Sequence, residues 1–229
     1  QSCEGRTMEP RVYAVRTGDK YGPEYEEYID SKIPNVNWIR EETIGKAQWN
    51  KLVPMSLDID EPVVVIDIDM SFINDYMDAI NYPIERGEFI GAYCWWDDVD
   101  PELNYRLQGG FQKYYPKDCK YIYDKFVSDS EYWMEYYIKN GTTCGPVNGE
   151  QYFVEDSVKE RLKLKFLPET WMTNWNKWAQ YNNNFILDAN LRYPGEYLFL
   201  GEEFNPDVRL LHFQGSNTPH KVTREVRGW

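Results

Sequence analysis

One stretch of the sequence, residues 61–72 with the letters EPVVVIDIDMSF, limits the possible folds more than any other. Its four successive β-branched residues, Val63–Ile66, are typical of a strand buried on both faces, as in a parallel sheet. Two carboxylates, Asp67 and Asp69, follow this strand directly. Because alternate residues of an extended chain point to the same side, both side chains are expected to face one site. Ligands of α/β sheets bind at the carboxyl ends of the strands, so the site is expected there.

The charge of these two carboxylates needs an explanation. At the edge of an apolar core they repel each other and lose hydration, so either protonation or a bound cation must offset their charge. A hard divalent ion with oxygen ligands is the natural candidate. The alternative is a pair of solvated carboxylates at a strand end. The buried strand before them and the absence of Lys and Arg from residues 61–72 favour the cation site.

Strand-like and helix-like segments alternate along the chain. Strands are predicted at residues 11–16, 36–39, 63–66, 88–93, 107–115, 162–167 and 208–213. Helices are predicted at residues 23–31, 46–55, 129–139 and 149–159, and the Trp- and Asn-rich region 171–184 has no assignment. This alternation indicates a single α/β, Rossmann-like domain with a mixed, mostly parallel central sheet flanked by helices. The domain is expected to span residues 8–229, and residues 1–7 are expected to be a disordered leader or a cloning remnant.

Composition argues against several classes of partner. The net charge of −13 disfavours a nucleic-acid-binding surface, which is usually basic, and an anionic membrane. The four cysteines have no CxxC spacing, so free thiols are expected rather than a zinc site. We find no signal peptide and no apolar run that could span a membrane, and we therefore expect a cytoplasmic location. The nine Trp and 19 Tyr point weakly to sugars or bases, on which aromatic rings stack.

Both histidines of the chain lie in one short segment, residues 211–221 with the letters LHFQGSNTPHK. His212 follows an apolar strand, where a core histidine is the common alternative. Gly215 and Lys221 lie in the loop after it, which offers backbone N–H groups and a cation and so suits phosphate. Two Asp and one His with open coordination positions suit Mn²⁺ or Mg²⁺, and the imidazole favours Mn²⁺.

Two further segments carry candidate acids. Glu150 and Gln151 stand at the start of the helix predicted at residues 149–159. Taken alone, Glu150 is better explained as an acid stabilised by the helix dipole. Asp97 and Asp98 follow the strand predicted at residues 88–93, and either could bind substrate hydroxyls or serve as a base. A capped loop explains these two residues equally well.

In their order along the chain, these segments resemble the GT-A glycosyltransferases, specifically the glycogenin-like and lipopolysaccharide galactosyltransferase group. The resemblance extends from residue 11 to residue 221 and rests on a set of motifs. These are a first strand with a glycine turn, a helix with Trp49 and Lys51, DxD after VVVI, Gly109 with Gly110, Glu150 with Gln151, and His212-x-x-Gly215 followed by Lys221. The DxD motif alone is weakly specific, and DxD combined with the final segment is considerably more specific.

The resemblance implies a metal centre and a diphosphate site. Asp67 and Asp69 match the acids that bind Mn²⁺, or Mg²⁺, together with the ribose and diphosphate of the donor. His212 matches the third protein ligand of the metal. Gly215 and Lys221 match the diphosphate-binding loop.

The resemblance also implies roles around the nucleotide and the sugar. The matching positions are Val15, Arg16 and Thr17 for the base and ribose, Lys51 for a basic residue facing the donor, Gln151 for the residue near the anomeric carbon, and Glu150 where the family usually has Asp. The chain departs from the family at Gln108, where Asn or Ser often stands, and at Pro219, which precedes His220 and Lys221 instead of following Lys. The phosphate ligand is therefore either His220 or Lys221.

The reaction implied is transfer of a sugar from a nucleoside diphosphate sugar, UDP-linked by resemblance, to an acceptor hydroxyl on a glycan or glycoprotein. Retention of the anomeric configuration is favoured, with Gln151 beneath the sugar and no strong general base. Inversion needs a base on the acceptor side, for which Asp97, Asp98 and Glu150 are the candidates.

Two rival functions stay open. A haloacid-dehalogenase-type phosphatase also has DxD after an apolar strand, but normally on its first strand, whereas a strand–helix–strand unit precedes Asp67 here. A non-catalytic, metal-dependent sugar-binding domain fits the acidity and the aromatic residues but not the βαβ pattern. Trp171, Trp175 and Trp178 are expected either to form an acceptor platform or to pack in the core.

Overall fold

The computed structural model describes residues 9–72, 74–94, 105–140, 149–174 and 207–213. Its strands are β1 (Arg11–Val15), β2 (Asn37–Ile39), β3 (Val63–Ile66), β4 (Met70–Phe72), β5 (Glu88–Tyr93), β6 (Leu107–Tyr114), β7 (Lys163–Phe166), β8 (Met172–Asn174) and β9 (Leu210–His212). Its helices are α1 (Pro23–Lys32), α2 (Met77–Ile80), α3 (Pro116–Ser128), α4 (Ser130–Asn140) and α5 (Glu150–Arg161), and Ala47–Ser56 form a 3₁₀ helix.

A six-stranded sheet forms the centre of the fold, in the order β2-β1-β3-β6-β5-β7. β1 pairs in parallel with β2 and β3, and β5 pairs in parallel with β7. Within this sheet, β6 runs antiparallel to both of its neighbours, β3 and β5. The sheet is therefore mixed and mostly parallel, and the predicted α/β fold class is confirmed.

β3 lies inside this sheet and is buried along its whole length. Val64 and Ile66 pack into one core together with α1, whereas Val63 and Val65 pack into a second core with the 3₁₀ helix, α3 and α5. Full burial of a Val or Ile side chain stabilises the fold by about 1.5–3 kcal/mol. Because β3 packs into both cores, the carboxylates that follow it have a fixed place at the end of the sheet.

A second, three-stranded sheet follows β3, in the order β4-β9-β8. β4 begins directly after Asp69 and pairs antiparallel with β9, so that Met70 lies opposite His212. β8 pairs in parallel with β9 on its other side. This sheet therefore brings His212, which is distant in sequence, to the end of β3.

The predicted and observed elements agree closely for most of the chain. The predicted strands correspond to β1, β2, β3, β5, β6, β7 and β9, and the predicted helices to α1, α4, α5 and the 3₁₀ helix. α3 was not predicted, although its buried Cys119, Ile122 and Phe126 follow helical spacing and Pro116 stands in its first turn. β4 and β8 were not predicted either, because three residues are too few to show a period.

The described residues bear on two further expectations. No helix among them is both long and apolar enough to cross a membrane. Cys119, on α3, is a free thiol packed in the second core, and burial raises its pKa well above the ordinary value.

Candidate metal centre

Two carboxylates and one imidazole converge at the carboxyl end of β3. Asp67, Asp69 and His212 each offer one ligand atom, and these atoms lie within 4.8 Å of one another. Nε2 of His212 is 3.3 Å from Oδ2 of Asp67 and 3.4 Å from Oδ1 of Asp69. Only 8% of the His212 side chain is exposed, against 23% for Asp67 and 19% for Asp69. The three residues that the sequence predicts as metal ligands are therefore together and largely withdrawn from water.

Backbone hydrogen bonds hold both carboxylates in place. The N–H of Asp67 donates to the carbonyl of Gly110 at 2.9 Å, which continues the pairing of β3 with β6. The N–H of Phe213 donates to the carbonyl of Asp69 at 2.9 Å, just beyond the pairing of β4 with β9. The DxD segment is thus fixed from β6 on one side and from β9 on the other.

Each carboxylate turns one oxygen toward His212 and the other toward an outer donor. Asp67 faces the imidazole with Oδ2, and its Oδ1 is 2.8 Å from the ammonium of Lys51. Asp69 faces the imidazole with Oδ1, and its Oδ2 accepts the hydroxyl of Tyr21 at 3.0 Å. The sequence gives no sign of the Tyr21 contact, because a tyrosine in a turn after a strand follows no pattern.

Lys51 is a buried member of this site. Its ammonium is 2.8 Å from Asp67, 3.2 Å from Glu150, and donates to the carbonyl of Gly109 at 3.0 Å. A lysine ammonium has three N–H donors, so these three acceptors use all of them. The 3₁₀ helix carries Lys51 to this place because its apolar side chains, Trp49 among them, pack into the second core.

Glu150 stands at the start of α5 and is only 2% exposed. One of its oxygens pairs with Lys51, and the other accepts the side-chain amide of Gln112 at 2.7 Å. Both oxygens are therefore engaged inside the protein. The sequence gives no sign of the Gln112 contact, because every residue of β6 is buried and the strand shows no alternation of polar and apolar residues.

The electrostatics divide the buried acids into two kinds. Burial raises the pKa of Asp67, but Lys51 and His212 outweigh it and hold that pKa well below its usual range. Burial likewise lowers the pKa of Lys51, but Asp67 and Glu150 outweigh it and raise that pKa. For Glu150 burial dominates, and its pKa is raised. Lys51 and Asp67 thus form a firmly ionised pair, next to the Glu150 carboxyl group, which ionises less readily.

The other two members of the centre hold protons more firmly than free side chains do. Burial raises the pKa of Asp69, and the charge of Asp67 adds to this effect although His212 opposes it. Burial lowers the pKa of His212, but the attraction of Asp69 and Asp67 outweighs it and raises that pKa. The shift of His212 reflects the negative charge of the two carboxylates, and that of Asp69 reflects burial with the charge of Asp67 added. A divalent cation would stabilise the ionised form of Asp69 and offset the charge of both carboxylates. The residues present therefore fit such an ion in charge and in ligand type.

Gln151 is held against β6 beside this centre. Its Oε1 accepts the N–H of Gly109 at 3.1 Å, which fixes the amide orientation and leaves the NH₂ group as a donor. A Cβ at Gly109 would lie 3.1 Å from Cβ of Gln151, and one at Gly110 would lie 3.2 Å from Oδ2 of Asp67. The two glycines therefore let β6 pass close to both α5 and the metal centre.

The predicted nucleotide-contacting residues Val15, Arg16 and Thr17 lie at the carboxyl end of β1, which neighbours β3. The guanidinium of Arg16 donates to Glu26 and to the carbonyl of Tyr21. Arg16 thereby holds the turn that carries the Tyr21 hydroxyl to Asp69. Arg16 and Tyr21 thus link the end of β1 to the metal centre.

Several predicted site residues lie outside the described part of the chain, namely Asp97, Asp98, Gly215, His220, Lys221, Trp175 and Trp178. Trp171 is described. Its ring meets Tyr82 edge-on at 5.6 Å, and the guanidinium of Arg209 lies 5.3 Å from its centre. These contacts favour packing over an acceptor platform for Trp171.

No protein-family model and no curated protein matches the sequence. Several solved structures match the fold. The galactosyltransferase LgtC, solved in complex with donor and acceptor sugar analogs, superposes with a TM-score of 0.59 at 10% identity, over 95% of this chain and 92% of its own. The glycosyltransferase GlyE of Streptococcus pneumoniae TIGR4 superposes with a TM-score of 0.52 at 14% identity, over 91% of this chain and 49% of its own.

A third similar structure is the bifunctional glycosyltransferase WbbM, with a TM-score of 0.52 at 14% identity, over 92% of this chain and 46% of its own. This chain thus spans about half the length of GlyE and of WbbM. At such low identity the similarity establishes the fold, which is that of the GT-A glycosyltransferases. The GT-A fold that the sequence motifs predict is confirmed.

Proposed function

We propose that this protein is a metal-dependent glycosyltransferase that moves a sugar from a nucleoside diphosphate sugar to an acceptor hydroxyl. The observation that carries the proposal is the convergence of Asp67, Asp69 and His212, whose ligand atoms lie within 4.8 Å of one another. They converge at the carboxyl end of a central strand, where α/β sheets bind ligands. The shared fold with glycosyltransferases supports the same conclusion.

The ligand set suits Mn²⁺ or Mg²⁺. Carboxylate oxygens are the ligands that hard divalent ions prefer, and the imidazole favours Mn²⁺. Three protein ligands leave coordination positions for diphosphate oxygens. The ion, when bound, neutralises the negative charge that develops on the diphosphate as the sugar leaves. A protein of net charge −13 needs such a local cation to bind an anionic donor.

The donor nucleotide, UDP in this proposal, is assigned to the carboxyl end of β1. Val15, Arg16 and Thr17 stand there, and Tyr21 links this end to Asp69 at 3.0 Å. A base and ribose at this place would therefore put the diphosphate near the metal centre. Gly215 and Lys221 follow β9, which ends beside Asp69, and they are proposed to hold the diphosphate.

Lys51 is proposed to act on Asp67 and not directly on the donor. Its three N–H groups are used by Asp67, Glu150 and Gly109. Its ammonium keeps Asp67 ionised and orients the other carboxylate oxygen toward His212. Glu150, with both oxygens engaged by Lys51 and Gln112, is proposed to hold this lysine in place.

Gln151 is proposed to lie near the anomeric carbon of the donor sugar. Its amide orientation presents the NH₂ group as a hydrogen-bond donor to the sugar or to the departing oxygen. An amide is no base at neutral pH, which favours retention of the anomeric configuration. In the inverting alternative, Asp97 or Asp98 would accept the proton of the acceptor hydroxyl. A glycan or glycoprotein is the proposed acceptor.

The rival functions make different predictions. A phosphatase of the haloacid-dehalogenase type would use Asp67 as a nucleophile, and beryllofluoride would then trap its carboxylate. We expect no beryllofluoride adduct, because Lys51 and His212 engage the two oxygens of Asp67. A non-catalytic sugar-binding domain would bind the donor without breaking it down.

The test of the proposal is turnover of a panel of nucleotide sugars with Mn²⁺ and with EDTA. We expect release of a nucleoside diphosphate that requires Mn²⁺ and that Asp67→Asn abolishes. The control is Asp60→Asn, which removes an exposed carboxylate paired with Lys117 and should leave the rate unchanged. Donor binding without product release for every nucleotide sugar, with and without sugar acceptors, would favour the binding domain instead.

A further inference from the structure

The two oxygens of Asp69 have different surroundings. Oδ1 lies 3.4 Å from the imidazole of His212, on the inner side of the metal centre. Oδ2 accepts the Tyr21 hydroxyl at 3.0 Å. Asp67 shows the same division, with Lys51 as the outer partner at 2.8 Å. One carboxylate is therefore held by a charged group and the other by a neutral phenol.

Tyr21 is held from several directions. Its carbonyl accepts a hydrogen bond from the guanidinium of Arg16 at 3.3 Å. Its ring packs edge-on against Tyr25 at 4.9 Å, and the ammonium of Lys20 lies 4.8 Å from the ring centre. Tyr25 is a residue of α1 and is buried in the first core. These contacts fix the backbone and the ring of Tyr21, and so they position its hydroxyl against Asp69.

This arrangement restricts how Asp69 can bind an ion. The hydrogen bond from Tyr21 uses one of the two lone pairs of Oδ2 and fixes the carboxylate with Oδ1 toward His212. Coordination of one ion through both oxygens would require the carboxylate to turn, which would weaken this hydrogen bond. The cost of that loss is highest in a site withdrawn from water. Asp67 is restricted in the same way by Lys51. Asp67 and Asp69 are therefore each oriented to coordinate an ion through one oxygen.

The number of oxygens per carboxylate matters for the choice of ion. Mg²⁺ demands near-octahedral coordination, and Mn²⁺ shares its preference for such sites. Ca²⁺ takes 6–8 oxygen ligands and often binds a carboxylate through both oxygens. A centre that offers single oxygens favours the smaller ions, whereas one that frees a second oxygen accommodates Ca²⁺ better.

We infer that Tyr21 is a positioning residue that keeps Asp69 to a single coordinating oxygen and thereby makes the centre discriminate against Ca²⁺. This inference rests on the proposed metal centre. It assigns to Tyr21 a role in metal selectivity, which sets it apart from the residues that contact the ion or the donor.

The test is a metal titration of Tyr21→Phe, which removes the hydroxyl and keeps the ring. Mn²⁺ affinity is measured from the electron paramagnetic resonance of free Mn²⁺, and Ca²⁺ affinity by competition. Loss of a group that orients a metal ligand lowers metal affinity about 10–100-fold, so we expect Mn²⁺ to bind at least about tenfold more weakly. Ca²⁺ affinity should fall less or rise, so that the preference for Mn²⁺ over Ca²⁺ drops.

A matched control is Tyr121→Phe, which removes a hydroxyl that donates to the carbonyl of Ser157. It should leave both affinities unchanged. Thermal unfolding of the metal-free variants checks that each one folds. If Tyr21→Phe were unfolded, Tyr21→Trp, which keeps an aromatic ring and an N–H donor, would be titrated in its place and should retain more of the preference than Tyr21→Leu.

The outcomes separate the inference from the function it rests on. If the wild-type protein binds Mn²⁺ and Tyr21→Phe has the same Mn²⁺-to-Ca²⁺ preference, the role of Tyr21 is overturned and the metal centre stands. If the wild-type protein binds no Mn²⁺, the metal centre and the inference both fail.

Discussion

At the scale of single residues, the two acids of the DxD segment behave differently although their side chains are identical. Asp67 faces the ammonium of Lys51, and its pKa is held well below the usual range. Asp69 faces the neutral hydroxyl of Tyr21, and burial raises its pKa. Asp67 is therefore the permanent anion of the pair, and Asp69 is the acid whose charge depends most on a nearby cation.

The raised pKa values of Asp69 and His212 predict that protons compete with the metal. A raised pKa means that each group keeps its proton to a higher pH than a free side chain does. A metal ion must displace these protons, since it needs the carboxylate and the neutral imidazole. Mn²⁺ affinity should therefore fall as pH is lowered, by about tenfold per pH unit while His212 is protonated.

This dependence can be measured by titrating Mn²⁺ from pH 5.5 to 8.5. Tyr21→Phe, Asp60→Asn and the wild-type protein should all show the same sign, because none of the substitutions removes His212. An affinity that stays constant across this range would contradict the assignment of His212 as a ligand.

At the scale of elements, β6 depends on two glycines that have different neighbours. A Cβ at Gly109 would press on Cβ of Gln151, which α5 holds firmly. A Cβ at Gly110 would press on the side-chain ends of Gln108 and Met172 and would lie 3.2 Å from Oδ2 of Asp67. The contacts of Gly109 involve the start of α5, including Oε2 of Glu150 at 3.2 Å, whereas those of Gly110 involve the predicted metal ligand Asp67.

The two alanine substitutions should therefore separate stability from metal binding. Gly109→Ala should lower the free energy of unfolding by about 1–3 kcal/mol, as overpacking does. Gly110→Ala should cost less stability but weaken Mn²⁺ binding more, since flexible side chains can move and a metal ligand is crowded. Urea unfolding and Mn²⁺ titration of both variants check this. Equal losses in both measurements would contradict the assignment.

β6 also carries a buried lysine, Lys113. Lys113 donates to the carbonyls of Ile80 and Tyr82 at 2.7 and 2.6 Å, which satisfies groups at the end of α2. Within the described residues it has no carboxylate partner, and burial lowers its pKa to about 8. A fall of this size from the ordinary value of 10.5 corresponds to roughly 3 kcal/mol.

The depressed pKa of Lys113 predicts how stability changes with pH. Between about pH 8 and pH 10.5 the unfolded chain binds more protons than the folded one, so the free energy of unfolding rises with pH in this window. The gain is lost as pH falls through about 8, where the folded chain also protonates Lys113. The wild-type protein should gain roughly 2 kcal/mol relative to Lys113→Met between pH 7.5 and 9.5. Urea unfolding at both pH values measures this difference, and a constant difference would contradict a charged, buried Lys113.

At the scale of the whole molecule, the sequence predicts the central sheet well because its signals are local. The run Val63–Ile66 is buried as expected, and the alternation of strands and helices gives the fold class. The antiparallel direction of β6 and the small second sheet depend on pairings between distant segments. Met70 pairs with His212, far along the chain, and no local pattern encodes that register.

The same division holds for the site. Asp67, Asp69 and His212 were identified from residue type and context, and they lie together. Tyr21 and Gln112 have no local sequence signal, because their roles come from tertiary contacts with Asp69 and Glu150. The three N–H groups of Lys51 are directed to Asp67, Glu150 and the carbonyl of Gly109, a geometry that spacing along the chain does not reveal.

We propose above that Asp67, Asp69 and His212 bind a donor diphosphate through a divalent ion. The most direct measurement is calorimetric titration of UDP into the protein, with and without Mn²⁺. We expect UDP to bind only with Mn²⁺, and we expect Asp69→Ala to abolish this binding while thermal unfolding shows an intact fold. Asp60→Ala, the control on the surface, should bind UDP as the wild type does. UDP binding that is unchanged by Asp69→Ala in the presence of Mn²⁺ would contradict the account.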